Sequence, residues 1–363
     1  MNKSIFNPTK YIRELSGLIR IGHYVKEYGD KAILIGGNTA LSITKTTIEA
    51  SLLNQDIQLI GTYWYGGECS QAEIDRLIEQ IDQVQPKVII VVGGGKAIDT
   101  SKAVAYKAML PLVVVPTIAS TCAATTPVSI LYDDNGAFIK TSTESKAADL
   151  VLVDNNIIGQ APIRFLSAGI GDTVAKWFEF NQSIKKLEYS AANRAALAVA
   201  KEIYTILLEE GPSSLENVEY NNATLDNVVD SIVLLGGMVS SYSDYDSPTA
   251  AAHAIYSGLT IFPEVHQAYH GEIVAFGILA QMVMEGRREE EVKELINFYK
   301  KVNLPYTLKA LGLPMLTEEQ WGKFGEDTVQ VEDMDYMPFK VSPQMVIDAV
   351  KKADQIGREV IIE

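Results

Sequence analysis

From Lys31 to Asp154 short β-branched runs alternate with stretches whose apolar residues recur at helical spacing, the pattern of β-α-β units and a largely parallel sheet. Strands are predicted at Ala32 to Ile35, Ile57 to Tyr63, Val88 to Val92 and Leu112 to Val115. Helices are predicted between them at Leu41 to Leu53, Ile74 to Val84 (stripe Ile74, Leu77, Ile78, Ile81) and Ala97 to Met109. Two further runs, Val128 to Tyr132 and Ala137 to Thr141, flank Asp133-Asp134-Asn135-Gly136. Asn-Gly accepts the positive φ angles of a tight turn, which predicts an antiparallel hairpin.

After a strand at Leu150 to Val153 the texture changes to helical patterns with short breaks: Ser190 to Leu208, Leu225 to Val239, Thr249 to Leu259, Gly271 to Glu285, Glu289 to Val302, Thr317 to Phe324 and Pro343 to Ile356. The fold expected is an α/β N-terminal domain with a parallel sheet over 1–161, followed by an all-α C-terminal domain over 162–363. The boundary falls at Ala161-Pro162, because proline disfavours helix in the residue before it and can open the helix that follows. No repeat or low-complexity linker separates the halves, so they are expected to pack directly, with the cleft between them as the default ligand site.

Composition narrows the classes. A chain of 363 residues with 47% hydrophobic and 21% charged content has apolar material for a core in each half, which excludes a disordered chain. Asp+Glu 46 against Lys+Arg 31, a net charge of −15, leaves little to release counterions from a phosphate backbone, so neither nucleic acid nor an anionic membrane is an expected partner. The longest apolar runs, such as Val88 to Val92, fall far short of the roughly 20 residues of a spanning helix. The N-terminus has no signal-peptide h-region, and Cys69 and Cys122 cannot form a disulfide framework. A reduced, cytoplasmic setting is the expectation.

Two neighbouring loops carry candidate chemistry. The strand Val88 to Val92 runs into Gly93-Gly94-Gly95-Lys96-Ala97-Ile98-Asp99-Thr100 and on into a helix. Glycines there would let backbone N–H groups approach a diphosphate, and the positive end of the helix dipole would stabilise it. Neither standard fingerprint is met: Ile90 and Ala97 occupy the places where a Walker loop has Gly and Ser or Thr, and the G-x-G-x-x-G spacing fails. A plain tight turn is the other reading. The next strand ends in Pro116-Thr117-Ile118-Ala119-Ser120-Thr121-Cys122, a hydroxyl-rich loop at the same carboxyl edge, where open α/β sheets bind ligands. Two such loops fit a dinucleotide better than either alone, although Ser and Thr also merely cap turns.

Three of the four histidines, His253, His266 and His270, fall close together, and Asp172 lies in the apolar, glycine-flanked stretch Ala168-Gly169-Ile170-Gly171-Asp172-Thr173. A carboxylate buried there would be costly without a cation. Two imidazoles, one carboxylate and an open position would suit Zn²⁺ or Fe²⁺; a core histidine and a helix N-cap aspartate are the plainer alternatives. His266, among polar neighbours, reads as surface or outer-sphere. Lys176 follows Asp172 by four and shares its helix face, either as a surface ion pair or as a cation beside a reaction centre.

In order and wording these motifs resemble the iron-containing alcohol dehydrogenase superfamily, most closely its glycerol dehydrogenase-type branch, with a sister group of hydroxycarboxylate dehydrogenases. The resemblance runs through GGGKAIDTSKAVA, PTIASTCAATTPVSILYDDNGAF, ADLVLVDNNII, APIRFLSAGIGDTVAKWFE, AAHAIYSGLT, YHGEIVAFGIL and the late YMPF segment. It implies the dehydroquinate synthase-like architecture: a dinucleotide-binding domain joined to a helical metal-binding domain. It implies Asp172, His253 and His270 as metal ligands. It places Gly94, Gly95, Lys96 and Asp99 against the pyrophosphate of NAD or NADP, with Thr117, Ser120, Thr126, Val128 and Tyr132 lining the ribose and nicotinamide. The implied reaction is metal-assisted hydride transfer between a nicotinamide and a small alcohol or ketone, by a homo-oligomer.

Three departures refine it. Four-ligand iron members carry a His one turn after the Asp; Lys176 stands there, which favours a three-ligand zinc arrangement. Glycerol dehydrogenases carry Asp in the Ser-Thr-Asp triplet; here the position is Cys122, a poor acceptor for a polyol. A negative charge lost at Cys122 and a positive one gained at Lys176 both favour a substrate carboxylate, hence a 2-hydroxycarboxylate/2-oxo acid pair. At the end of the first strand, NAD-preferring members place Asp, where this chain has Asn38, which can bond a 2′-hydroxyl without repelling a 2′-phosphate. The alternatives are a glycerol or small-diol dehydrogenase and, from another class, a dehydroquinate synthase-like lyase. The lyase needs a dense basic pocket, whereas only Lys176, Lys185, Lys186, Arg194 and Lys201 lie between Asp172 and His270.

Overall fold

A computed structural model describes residues 9–133, 136–187, 190–216, 222–243, 249–313 and 315–362. Over these residues the chain divides into two compact units, one of 9–162 with 222–229 and the other of 163–216 with 230–362.

The first unit is the α/β one. Its elements are β1 (Lys10–Arg13), α1 (Ile21–Val25), β2 (Lys31–Gly36), α2 (Asn38–Leu53), β3 (Gln58–Trp64), α3 (Gln71–Val84), β4 (Val88–Gly93), α4 (Gly95–Ala108), β5 (Leu112–Pro116), β6 (Ser129–Tyr132), β7 (Phe138–Ser142), β8 (Leu150–Val153) and α5 (Asn155–Ile158). Six strands form a parallel sheet in the order β1-β8-β5-β4-β2-β3. Strands β4, β5 and β8 are buried at every residue, which is why they read as unbroken apolar runs rather than alternating ones. On one face Leu34, Ile90, Val113 and Leu152 pack with Ile48 and Leu52 of α2 and Ile21 and Val25 of α1.

The predicted hairpin is β6-β7, antiparallel with a register shift at Leu131/Tyr132; Asp134 and Asn135 of its turn lie outside the described residues. The edge strand β1 was not predicted. It pairs Lys10 with Leu150 and Arg13 with Val153, and its four residues, KYIR, are each exposed or half-exposed, so they carry no apolar run.

The chain leaves β2 outward to β3, then returns past it to β4, β5 and β8. The sheet therefore switches winding direction between β2 and β4, and their carboxyl ends frame the crevice in which open sheets bind ligands. Register brings Gly36 beside Val92 and Gly93 beside Pro116, so Asn38, the glycine turn and Thr117 follow from adjacent strand ends.

The second unit is helical: α6 (Ile163–Ser183), α7 (Ala191–Glu216), the end of α8 (Ala223–Asp230), a π turn at Ser231–Leu235, α9 (Gly236–Tyr242), α10 (Ala251–Leu259), α11 (His270–Met284), α12 (Glu289–Lys301), α13 (Glu318–Val329) and α14 (Pro343–Ile362). The single helix predicted over Leu225 to Val239 is thus interrupted by a π turn just before Gly236-Gly237. The stretch Ala223–Tyr242 has the length and hydropathy of a membrane span, and 50% of its window is buried in the fold.

Helix α11 is buried at twelve successive residues from Gly271 to Met282. It can meet α6 closely because the contact is made by glycine on both sides. A Cβ on Gly271 would lie 1.8 Å from the Ala168 carbonyl oxygen, and one on Gly171 would lie 2.5 Å from the Gly271 carbonyl oxygen. No side chain fits there, and the crossing sets Asp172 of α6 against His270 at the start of α11.

Candidate active site

Asp172, His253 and His270 each offer one ligand atom, and the three atoms lie within 4.8 Å of one another. Asp172 Oδ1 is 3.5 Å from His253 Nε2 and 3.2 Å from His270 Nε2. Donors held by one tetrahedral cation at bond lengths of about 2.0–2.1 Å stand about 3.3–3.4 Å apart, so the carboxylate already stands at about ligand spacing from each imidazole. Sequence separation hid this: Asp172 and His270 are 98 residues apart.

Burial alone would push the Asp172 carboxyl upward. Hydrogen bonds from His253 and His270, with the charges of His270 and Lys176, outweigh it and hold the group well below the usual carboxylate range. Burial likewise pulls His253 down, yet the charge of Glu179 and hydrogen bonds to Asp172 and Glu179 raise it to about 10. The site holds a surplus of negative charge that a cation or a proton must answer.

Glu179 is the residue that sequence reasoning missed. It is fully buried, and its Oε2 is 2.6 Å from His253 Nδ1. Its Oε1 accepts from the backbone amides of Ala250 (2.7 Å) and His253 (2.9 Å). Helix α10 has Ala250 as its N-cap, which offers no capping side chain, and Glu179 of α6 supplies the missing acceptor. Gln281 takes the Ala252 amide at 3.0 Å. With a carboxylate on Nδ1, Nε2 is the ring atom left for a cation. The signal available in the sequence was spacing: Asp172, Lys176 and Glu179 stand at i, i+4 and i+7 on one face of α6.

Lys176 is buried rather than a surface ion-pair partner, and its ammonium donates to Ser240 Oγ at 3.3 Å. His266 belongs to a separate 3-10 turn, Pro263–Gln267, and stands exposed with its Nε2 2.9 Å from the Thr260 carbonyl. His270 Nδ1 is buried with no hydrogen-bond partner among the described residues, while the ring meets Tyr256 edge-on at 4.3 Å.

In the α/β unit, β4 ends on Gly93 with φ +151°, a conformation side chains rarely adopt. Gly94 caps α4, and a Cβ on it would come within 2.6 Å of Ile118. Gly94 and Gly95 are half-exposed and Lys96 is exposed, so the free amides of the first turn of α4 are open to an anion. The Lys96 ammonium pairs with Glu68 and stands 5.5 Å above the Tyr132 ring. Asn38 is exposed as the first residue of α2. Thr117 N donates to the Gly93 carbonyl at 3.0 Å, tying the ends of β4 and β5. Ser120 and Val128 are half-buried and Thr126 is buried. Cys122 is buried, its carbonyl accepting from Thr125 N at 3.0 Å. Asp99 sits behind the turn, one carboxylate oxygen 2.8 Å from Lys102 Nζ and the other accepting from Ile130 N at 3.0 Å.

Residues 8–155 match the profile of a family described as iron-containing alcohol dehydrogenase. Over 99% of both chains the sequence is 34% identical to a glycerol dehydrogenase of Citrobacter freundii. It is 33% identical to hydroxycarboxylate dehydrogenase A of Escherichia coli over 91% of both. The solved glycerol dehydrogenase of Schizosaccharomyces pombe superposes with a TM-score of 0.91 at 32% identity, covering 99% of this chain and 92% of that one. The α/β unit with its parallel sheet, the helical unit and these relatives agree: the chain belongs to the iron-containing alcohol dehydrogenase superfamily, in its glycerol dehydrogenase branch.

Proposed function

We propose that this oxidoreductase interconverts a 2-hydroxycarboxylate and a 2-oxo acid, with a nicotinamide dinucleotide and one divalent cation. The observation that carries the substrate reading is Lys176, a buried cation one helical turn from Asp172. Opposite unit charges about 4 Å apart interact by about 4 kcal/mol at an effective dielectric near 20, enough to rank a carboxylated substrate above a neutral polyol. Cys122 supports the same reading, since a thiol there neither repels a carboxylate nor accepts from a polyol as an aspartate would. That a relative is named hydroxycarboxylate dehydrogenase A is consistent with it.

Asp172, His253 and His270 would hold the cation, Zn²⁺ rather than Fe²⁺ because position 176 is Lys and not a fourth imidazole. When bound, such an ion supplies Lewis acidity, lowering the pKa of an alcohol or polarising a carbonyl. The chain's own residues do the rest. Glu179 fixes the His253 ring. The Gly94, Gly95 and Lys96 amides, with the Lys96 ammonium, receive the diphosphate. Thr117, Ser120, Thr126, Val128 and Tyr132 line the ribose and nicotinamide. Asn38 bonds a 2′-hydroxyl and tolerates a 2′-phosphate, so both NAD and NADP are admitted.

The second reading, a glycerol or small-diol dehydrogenase, is favoured by the names of relatives. A rate matrix separates the two: zinc-loaded protein with NADH or NADPH, each offered 2-oxobutanoate or dihydroxyacetone. Rates dominated by the oxo acid, and lost in Lys176→Ala, are expected. Rates dominated by dihydroxyacetone, or an oxo-acid activity untouched by Lys176→Ala, would overturn the proposal.

A further inference from the structure

Lys102 of α4 is completely buried, and neither the glycine turn nor the cation site uses it. Its ammonium is surrounded by oxygen. It donates to the Ala123 carbonyl at 2.9 Å, the Thr126 carbonyl at 3.1 Å, Thr126 Oγ1 at 3.3 Å and the Val128 carbonyl, and lies 2.8 Å from Asp99 Oδ1. An ammonium has three protons, so five oxygens around it form a cage of the kind that holds a monovalent cation. Three of the five are backbone carbonyls, 21 to 26 residues along the chain from Lys102.

Those carbonyls belong to the segment that carries Cys122, Thr126 and Val128. Across the first pinned point the chain makes a tight turn, in which Thr125 N and Oγ1 donate to the Cys122 carbonyl at 3.0 and 3.2 Å. Asp99 extends the clamp: its second carboxylate oxygen accepts from Ile130 N, and its carbonyl accepts from Ser129 Oγ at 2.8 Å. A buried charge without such partners would be strongly destabilising, so the lysine and the loop fix each other's geometry.

We propose that Lys102 is a tethered cation that sets the conformation of residues 120–128, a positioning residue for nicotinamide dinucleotide binding that itself faces away from the ligand. The proposal rests on the dinucleotide reading given above. Nucleotide affinity, read from NADH and NADPH fluorescence, therefore comes first on the wild-type protein. No binding there would refute that reading; binding there followed by an unchanged variant would refute only the role of Lys102.

The variant is Lys102→Ala, which removes the atoms of n-propylammonium. Affinity for the reduced nucleotide is expected to fall at least tenfold and to recover at least threefold with n-propylammonium, but not with tetramethylammonium, which has no protons to donate. Zinc affinity should stay within twofold of wild type. Unchanged nucleotide affinity, or equal recovery with both cations, overturns the proposal. If Lys102→Ala does not fold, amide exchange in the wild type decides. A preset loop protects the Thr125 amide at least 100-fold before nucleotide is added, and exchange there at the rate of an unstructured chain overturns the proposal.

Discussion

Replacing Glu179 by Gln tests the reading of the cation site without touching a candidate ligand. The side chain keeps its shape, and one oxygen can still accept from the Ala250 and His253 amides that now stand 2.7 and 2.9 Å from Oε1. The other atom becomes an NH₂ group facing His253 Nδ1, 2.6 Å away in the wild type. For Nε2 to face a cation, Nδ1 must carry the proton, so a donor then meets a donor. Turning the amide over restores that bond only by releasing both helix amides. Either way at least one charge-assisted hydrogen bond is lost, about 1.5–3 kcal/mol, which corresponds to roughly a 10- to 100-fold loss of affinity, as is typical when the partner of a metal-ligating histidine is removed. Competition for Zn²⁺ against a chromophoric chelator measures this directly, with the circular dichroism spectrum as a check on folding. A folded Glu179→Gln protein that binds Zn²⁺ within threefold of wild type would refute the argument that Glu179 orients His253.

Gly271→Ala places a methyl 1.8 Å from the Ala168 carbonyl, so α6 and α11 must separate. A stability loss of about 1–3 kcal/mol and weaker zinc binding are expected, by thermal melts with and without the ion; unchanged melting would mean the helices do not cross as described. Cys122→Asp restores the acceptor typical of glycerol dehydrogenases and should shift the ratio of kcat/KM away from 2-oxobutanoate toward dihydroxyacetone; an unchanged ratio would remove Cys122 from substrate selection. In the metal-free protein His253 titrates near 10 against an ordinary 6.5, so its proton stabilises the fold fully below 6.5, and that contribution is lost as pH rises through about 10. Zn²⁺ must displace this proton, so calorimetry at pH 8 in buffers of different ionisation enthalpy should show close to one proton released per ion, and zero would contradict the raised value.

What could be read from the sequence follows from how local each signal is. Strands β4, β5 and β8 were legible because a parallel strand covered on both faces is apolar throughout, and the turn after β4 because Gly93 occupies a backbone region that favours glycine. The segment Gly169 to Asp172 was harder to read as helix, because two of its residues carry the propensity penalty of glycine. The structure uses one of them, Gly171, against Gly271 for the crossing of α6 and α11. His266 stands one helical turn before His270 in sequence, yet the 3-10 turn at Pro263–Gln267 ends before α11 begins, so the two rings do not share a face. Glu179 and Lys102 were missed for a common reason, although helical spacing put Glu179 on the face of α6 that carries Asp172. Each gains its role from backbone groups brought to it over long sequence distances, 74 residues from Glu179 to His253 and up to 26 from Lys102 to Val128, and no spacing rule within a helix registers such partners.

Position 176 is where metal choice and substrate choice meet. One turn beyond Asp172, it shares the face of α6 that carries this candidate ligand, and its charge already helps hold Asp172 ionised. A histidine there would be a neutral fourth donor, completing the coordination of an iron-type site. A lysine cannot ligate while protonated, so it leaves a position open and adds a positive charge beside it. The same substitution therefore does two things at once. On the proposed reading it reduces the protein's share of the ligands to three, the arrangement of catalytic zinc sites, and it sets a positive charge beside the open position, where a substrate carboxylate would find a partner. The departures at Cys122 and at Lys176 both point to that substrate charge. Under the proposed reading Cys122→Asp and Lys176→Ala should therefore each lower the rate with 2-oxobutanoate relative to dihydroxyacetone, the first by adding a negative charge and the second by removing a positive one, and a ratio unchanged in both variants would refute the charge argument.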